Sequence, residues 1–235
     1  PAKLELRIMA HLSGDPALRA MFAGGADPFK ELAARWRGGR PEDIAPEQRA
    51  EAKELAYAMI YGAGNYRVAE SLGISEAEAA QLKDSFKQAL PGLTRWTEDV
   101  IQSCQQKGYV ETIGGRRRLL PYISDRDRNR RARAERQAVN TVCQGSAADI
   151  AKSAMIAISS RLQQLGKEQG IFIGQLLLQI HDELLLEVRE THLVEAARAL
   201  QEAMINAVSL NGVALAVKLQ YGQSWGELQP LLLDS

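Results

Sequence analysis

Two short stretches carry residue types that could do chemistry. The first is "LLLQIHDELLLEV" (176–188), an apolar run interrupted by His181, Asp182 and Glu183. Carboxylates held at the tip of a rigid hairpin suit a hard cation such as Mg²⁺, which takes one or two protein carboxylates and fills its other positions with water and phosphate oxygens. The same residues also suit a plain two-residue turn, where polar side chains tolerate unusual backbone angles. The second stretch is "PEQRAEAKELAYAMIYGAG" (46–64), which reads as a helix ending at Gly62. At about 100° per residue, Arg49, Lys53, Tyr57 and Tyr61 fall roughly 40° apart and share one face. Arg grips a phosphate through two nitrogens, Lys adds a mobile point charge, and tyrosine stacks on a base or closes over a sugar. Such a face fits a nucleoside triphosphate laid along the helix. It equally fits a solvated face on which Glu47, Glu51 and Glu54 neutralise the cations.

A third feature is electrostatic. The formal net charge over 235 residues is +0, so no global field advertises a nucleic-acid partner. Between Arg116 and Arg136, however, nine arginines face only Asp125, Asp127 and Glu135, a local footprint for phosphate contact. A solvated helix face is the competing explanation. Further on, Arg136, Asn140 and Gln144 recur every four residues and lead into Gly145, Ser146, Ala147 and Ala148, a polar stripe beside very small side chains. That pattern admits close approach by a bulky partner, and tight helix packing would produce the small residues too.

The elements that must position these groups are legible in outline. From about Leu4 to Leu165 the pattern is mainly helical, punctuated by "SGDP", "AGGADP", "GGRPED", "YGAGN", "LPG" and "IGGRRR". Asp27-Pro28 predicts a capped helix start, and Ser75 with Glu78 predicts a capping box. "VET" at 110–112 reads as a short strand. From Ile171 the order becomes strand, turn, strand, a helix at about 191–208, then a strand in "VALAVKLQYG". The fold class is therefore α+β, a helical part inserted before a compact antiparallel sheet. Cys104 and Cys143 lack metal-ligand spacing and point to a reduced compartment. No stretch approaches the roughly 20 apolar residues needed to span a bilayer. The expectation is a cytosolic or nuclear protein, with no membrane partner.

With these residues in view, the chain resembles the family A DNA polymerases over essentially its whole length. "LELRIMAHLSGDP" is similar to the end of the family's first motif. Residues 49–62, R…K…Y…YG, resemble the fingers O-helix, and "QIHDELLLEV" resembles the third motif. "GRRRLLP" and "QAVNTVCQGSAADI" resemble the segments between, in wording closest to the eukaryotic theta and nu branch, with bacterial repair polymerases as the other option. The resemblance implies a right-hand polymerase fold, with the start of the palm at 1–14, helical fingers and connecting helices over 15–165, and the rest of an antiparallel-sheet palm over 166–235. The activity implied is DNA-templated DNA synthesis in replication or repair, by a monomer acting on primer-template DNA and dNTP with two Mg²⁺ ions. It would be nuclear in a eukaryote and cytoplasmic in a bacterium.

Residue by residue, the resemblance assigns Asp182 to the metal, with Glu183 assisting. Arg49 and Lys53 would hold the triphosphate, and Tyr57 would pack on the incoming sugar and base. Tyr61 would stack near the templating base. Glu5 resembles the steric gate against a ribose 2′-OH. Gln144 and His181 resemble groups that touch the minor groove at the primer end, where acceptors common to every Watson–Crick pair report fit. Arg136 and Asn140 would support the same duplex, and Arg116, Arg117 and Arg118 would contact phosphate. One departure matters: aligning the first motif on Glu5 places its metal-binding Asp one position before Pro1, and Pro1, Ala2 and Lys3 replace its usual aromatic, Ser and Gln residues. The thumb and exonuclease regions would also lie upstream. The segment by itself is accordingly expected to be inactive. A non-catalytic nucleic-acid-binding module of the same fold is the alternative, and a metal-dependent nuclease is disfavoured because hydrolysis has no use for the Arg49/Lys53 stripe.

Overall fold

Several helices in the first part of the chain open on a proline, whose missing N–H costs nothing at a helix start. In the computed structural model, which describes residues 2–22 and 27–233, α1 (Ala2–Ser13) is followed by α2 (Pro16–Ala20) and α3 (Pro28–Arg37), the latter two opened by Asp-Pro pairs. Asp27 Oδ1 accepts the Phe29 N–H at 2.9 Å, as the sequence predicts. Pro1, where the expected palm start begins, and most of "AGGADP" lie outside the described residues.

Asp15 does more than open α2. Its buried carboxylate accepts the Ala17 and Leu18 N–H groups at 2.8 and 3.2 Å through one oxygen. Through the other it accepts those of Gly92 and Leu93, at 2.8 and 3.2 Å, at the start of α7 (Pro91–Lys107). Otherwise unsatisfied amide donors of two helices thus converge on one anion. A Cβ on Gly92 would fall 2.9 Å from the Asp15 Cα, so glycine is required there.

Between these capped ends lie α4 (Pro46–Tyr61), α5 (Asn65–Leu72) and α6 (Glu76–Ala89). α3 packs on α4 and α5 on α6. Ser75 and Glu78 form the expected capping box. The Trp36 indole N–H donates to Ser85 Oγ at 3.0 Å while its ring meets Phe86 edge-on at 5.5 Å, joining α3 to α6. Then come β1 (Tyr109–Glu111), β2 (Arg117–Leu119) and the 42-residue α8 (Arg128–Gln169). Cys104, Val110, Leu120, Ile123, Ala134, Ala138 and Val142 bury one another, so the hairpin, α7 and the first part of α8 share a core.

The chain divides into two compact units. One holds residues 2–146 with 211–213; the other holds 147–210 and the residues from 214 onward. In the second, β3 (Gly174–Ile180) and β4 (Glu183–Val188) form an antiparallel hairpin. Leu184, Leu186 and Val188 pack on Ile158, Leu162 and Leu165 of α8 and on Ala196 and Ala199 of α9 (Leu193–Ile205). The period-2 alternation of β4 thus puts its apolar side on the helices. The final hairpin pairs β5 (Leu219–Tyr221) with β6 (Gln229–Leu231). The strand expected across "VALAVKLQYG" is confined to its last part, because the ladder to β6 spans only three residue pairs. Three two-stranded antiparallel sheets among the described residues, with helices predominating, make the class α+β as expected.

Candidate nucleotide and metal site

α4 presents the predicted stripe. It ends where Gly62 adopts φ 61°, and the Ala63 N–H returns to the Ala58 carbonyl at 2.9 Å. Gly62 is required for a second reason: a Cβ there would lie 2.6 Å from Cγ of Arg136, whose stem crosses the helix end. Along the stripe, Lys53 Nζ stands 5.9 Å from the centroid of the Tyr57 ring. Tyr57 lies 6.1 Å from Phe29 and stacks on Tyr61 at 6.1 Å with 22° between planes. Cation, aromatic and aromatic therefore form a continuous surface.

At the two ends of the stripe the cations and hydroxyls are held by other helices. Arg49 Nε donates to Asp27 Oδ2 at 2.9 Å, Nη2 stands 2.8 Å from the same oxygen as an ion pair, and the guanidinium lies 5.5 Å from the Phe29 ring centroid. Burial would raise the Asp27 pKa, but the Arg49 guanidinium and the Phe29 amide outweigh it and hold the carboxyl below its ordinary value. Glu51, one of the acids that could neutralise the stripe, is paired with Arg37 instead. At the other end, the Tyr61 hydroxyl donates to Glu5 Oε2 at 2.7 Å and also bonds the Gln144 side chain. Burial first, and then Glu5, push the Tyr61 hydroxyl up to about 12. Glu5, Tyr61 and Gln144, the first and last of them 139 positions apart in the sequence, are thereby brought together.

The polar stripe of α8 continues from that cluster. Arg136 packs on Gly62, and Asn140 Oδ1 is buried with no hydrogen-bonding partner among the described residues. Of the small residues after Gln144, Gly145 and Ser146 serve the β1–β2 hairpin. Ser146 Oγ accepts the Ile113 N–H at 2.9 Å and donates to the Val142 carbonyl, while Arg116 Nη2 donates to the Gly145 carbonyl at 3.0 Å. Gly145 has no room for a side chain, since a Cβ would meet Thr112 Cγ2 at 2.6 Å. Arg118 Nη1 donates to Thr141 Oγ1 at 2.9 Å; Arg117 pairs with Glu111 at 2.7 Å and lies 4.7 Å over the Tyr109 ring. The three arginines are exposed on the hairpin while each makes an intramolecular contact that fixes its direction.

In the second unit the β3–β4 tip carries His181 and Asp182 in the turn, with Glu183 opening β4. The left-handed residue of the turn is His181, at φ 54°. The Gln179 side-chain amide donates to the His181 carbonyl and supports that conformation. A register shift between Leu176 and Leu178 marks a bulge that re-aims the strand toward its tip. Asp182 and Glu183 offer the hard oxygen donors that Mg²⁺ takes. Among the described residues no group of three or more His, Cys, Asp or Glu side chains converges to hold a metal. The donor chemistry fits as a partial set.

Sequence reasoning missed Asp27 as the partner of Arg49 and Asp15 as a double cap, having read both only as helix-start punctuation. Local spacing carries no signal for a pairing 22 residues away.

These features define a class. The profile of DNA polymerase family A matches residues 2–227, and the chain belongs to that family. It is 40% identical to DNA polymerase theta of Mus musculus over 97% of this chain and 10% of the mouse protein. It is 39% identical to DNA polymerase I of Bacillus caldotenax over 95% of this chain and 25% of that protein. Among solved structures it matches the POL domain of Pol1 from M. smegmatis, in complex with DNA primer-template and dNTP, with a TM-score of 0.86 and 38% identity over 95% of this chain and 38% of that one. The chain thus spans a tenth to a quarter of the length of these full-length relatives. No helix among the described residues is long and apolar enough to cross a membrane.

Proposed function

We propose that this segment supplies the nucleotide-handling and part of the metal-bearing surface of a DNA-templated DNA polymerase, in which a primer 3′-OH attacks the α-phosphorus of a dNTP and pyrophosphate leaves. The observation that carries the reading is the α4 face: Arg49, Lys53, Tyr57 and Tyr61 in one continuous row, tied at its end to Glu5. On this reading Arg49 and Lys53 bind the triphosphate oxygens, and Tyr57 packs on the sugar and base. Tyr61, hydrogen-bonded to Glu5, stacks near the templating base and fixes the carboxylate where a ribose 2′-OH would collide with it. Gln144, Asn140, Arg136 and His181 support the primer-template duplex, and Arg116, Arg117 and Arg118 contact its phosphates. Bound at Asp182 with Glu183 alongside, Mg²⁺ would stabilise the charge that develops on the phosphate oxygens. Residues 15–165 would serve as fingers and connecting helices, and 1–14 with 166–235 as palm. Membership of a family with a neighbour solved on primer-template and dNTP supports the assignment.

The test is Mg²⁺-dependent primer extension by this chain joined to an upstream segment carrying an acidic first motif. Asp182→Ala should abolish extension, and Arg49→Gln should raise the dNTP concentration needed. Undetectable extension with DNA binding intact would favour the alternative, a non-catalytic binding module.

A further inference from the structure

Asp27 divides its two oxygens between two tasks. Oδ1 accepts the Phe29 N–H at 2.9 Å and starts α3, whereas Oδ2 accepts the Arg49 Nε–H at 2.9 Å and lies 2.8 Å from Nη2. Two guanidinium nitrogens therefore crowd one oxygen, which takes a hydrogen bond from Nε. A fork of that shape is better satisfied by an anion offering two oxygens, as a phosphate does. The pair is also accessible: the Arg49 and Asp27 side chains are 35% and 33% exposed, so an incoming anion reaches it without unfolding either helix. Glu51 does not compete for Arg49, since it is occupied by Arg37, and the Phe29 ring beneath the guanidinium keeps it over the stripe.

We infer that Asp27 is a resident counter-anion for Arg49, which polyphosphate displaces on binding, so that Asp27 sets triphosphate affinity as a positioning residue without itself belonging to the bound complex. This rests on the assignment of Arg49 to the triphosphate. In the absence of that ligand, the carboxylate keeps the guanidinium parked and oriented; on binding, the arginine exchanges one oxygen for two, and Asp27 remains as the cap of α3.

The experiment titrates inorganic tripolyphosphate, without metal, into this chain by calorimetry. Asp27→Asn keeps an oxygen for the Phe29 amide and removes the charge, and Asp27→Ser provides a second neutral cap should the first variant fold poorly. Each should tighten tripolyphosphate binding about threefold to fivefold, the scale of a partly exposed ion pair. In an Arg49→Gln background the gain should vanish, which a general effect on α3 would not do. Unchanged or weaker binding in both neutral variants, with Arg49→Gln still weakening it, would overturn the inference and leave the triphosphate assignment standing. Binding indifferent to Arg49→Gln would overturn that assignment and the inference with it.

Discussion

Replacing Gly145 by alanine sets two effects of known sign against each other. Gly145 lies inside α8, where alanine is favoured over glycine by about 1 kcal/mol. Against this, the new Cβ would meet Thr112 Cγ2 at 2.6 Å, well inside contact distance, and Thr112 is buried at the base of the β1–β2 hairpin. Overpacking of that kind costs about 1–3 kcal/mol, so the clash prevails and the net loss centres near 1 kcal/mol. Thr112→Ser removes the offending methyl but retains the hydroxyl that accepts the Arg116 N–H at 3.1 Å, at a cost of about 1 kcal/mol for the lost buried carbon. In that background Gly145→Ala should become stabilising by about 1 kcal/mol, a coupling near 2 kcal/mol. Urea unfolding followed by circular dichroism measures the four corners of the cycle. Hydrogen exchange at the Ile113 amide, which bonds Ser146 Oγ, reports the hairpin locally and should accelerate in Gly145→Ala alone. Equal effects of Gly145→Ala in both backgrounds would refute the argument that Thr112 is what excludes a side chain there.

Two other perturbations test the framework around the site. Tyr61 favours its neutral form, with the hydroxyl pushed up to about 12; its contribution is complete below the ordinary value near 10 and is lost as pH rises through 12. Phenolate absorbance should accordingly show a late titrating step that Tyr61→Phe deletes and Glu5→Gln moves to lower pH; a step unmoved by Glu5→Gln would contradict the contact. Asp15→Ala strands four amide donors at two helix starts and should cost about 2–4 kcal/mol in thermal denaturation. Asp15→Asn should cost less, because it keeps one acceptor oxygen.

The α4 stripe was legible because a helix converts sequence spacing into angular position without help from the rest of the chain, and Gly62 marked its end. The β3–β4 hairpin was legible for the corresponding reason: two apolar runs about a polar pair allow little else. What the sequence concealed lies between elements. Nothing local links Asp27 to Arg49, or Glu5 to Tyr61 by a hydrogen bond, since these contacts depend on how helices far apart in sequence pack. The β2 strand was hidden because three residues, two of them arginine, show no apolar alternation, and β6 was hidden by a proline at its centre. The sequence left open which of His181 and Asp182 takes the left-handed position, since both types adopt it; the supporting bond from Gln179 belongs to the hairpin's own register and emerges only once the strands are paired.

The double cap at Asp15 bears on how the chain reaches its fold and how it can vary. Its bonds to residues 77 and 78 positions later make α3 to α6 an excursion that leaves and returns at a single carboxylate. The amides at the start of α7 receive that anion only with the loop closed, whereas the capping box of α6 is made within its own first turn. Closure entropy grows only with the logarithm of loop length, about 0.6 kcal/mol per doubling. Residues inserted at a turn within the excursion would consequently lengthen it at little cost, while a shift of one residue beside Gly92 would take the α7 amides off the anion and leave the α2 cap in place.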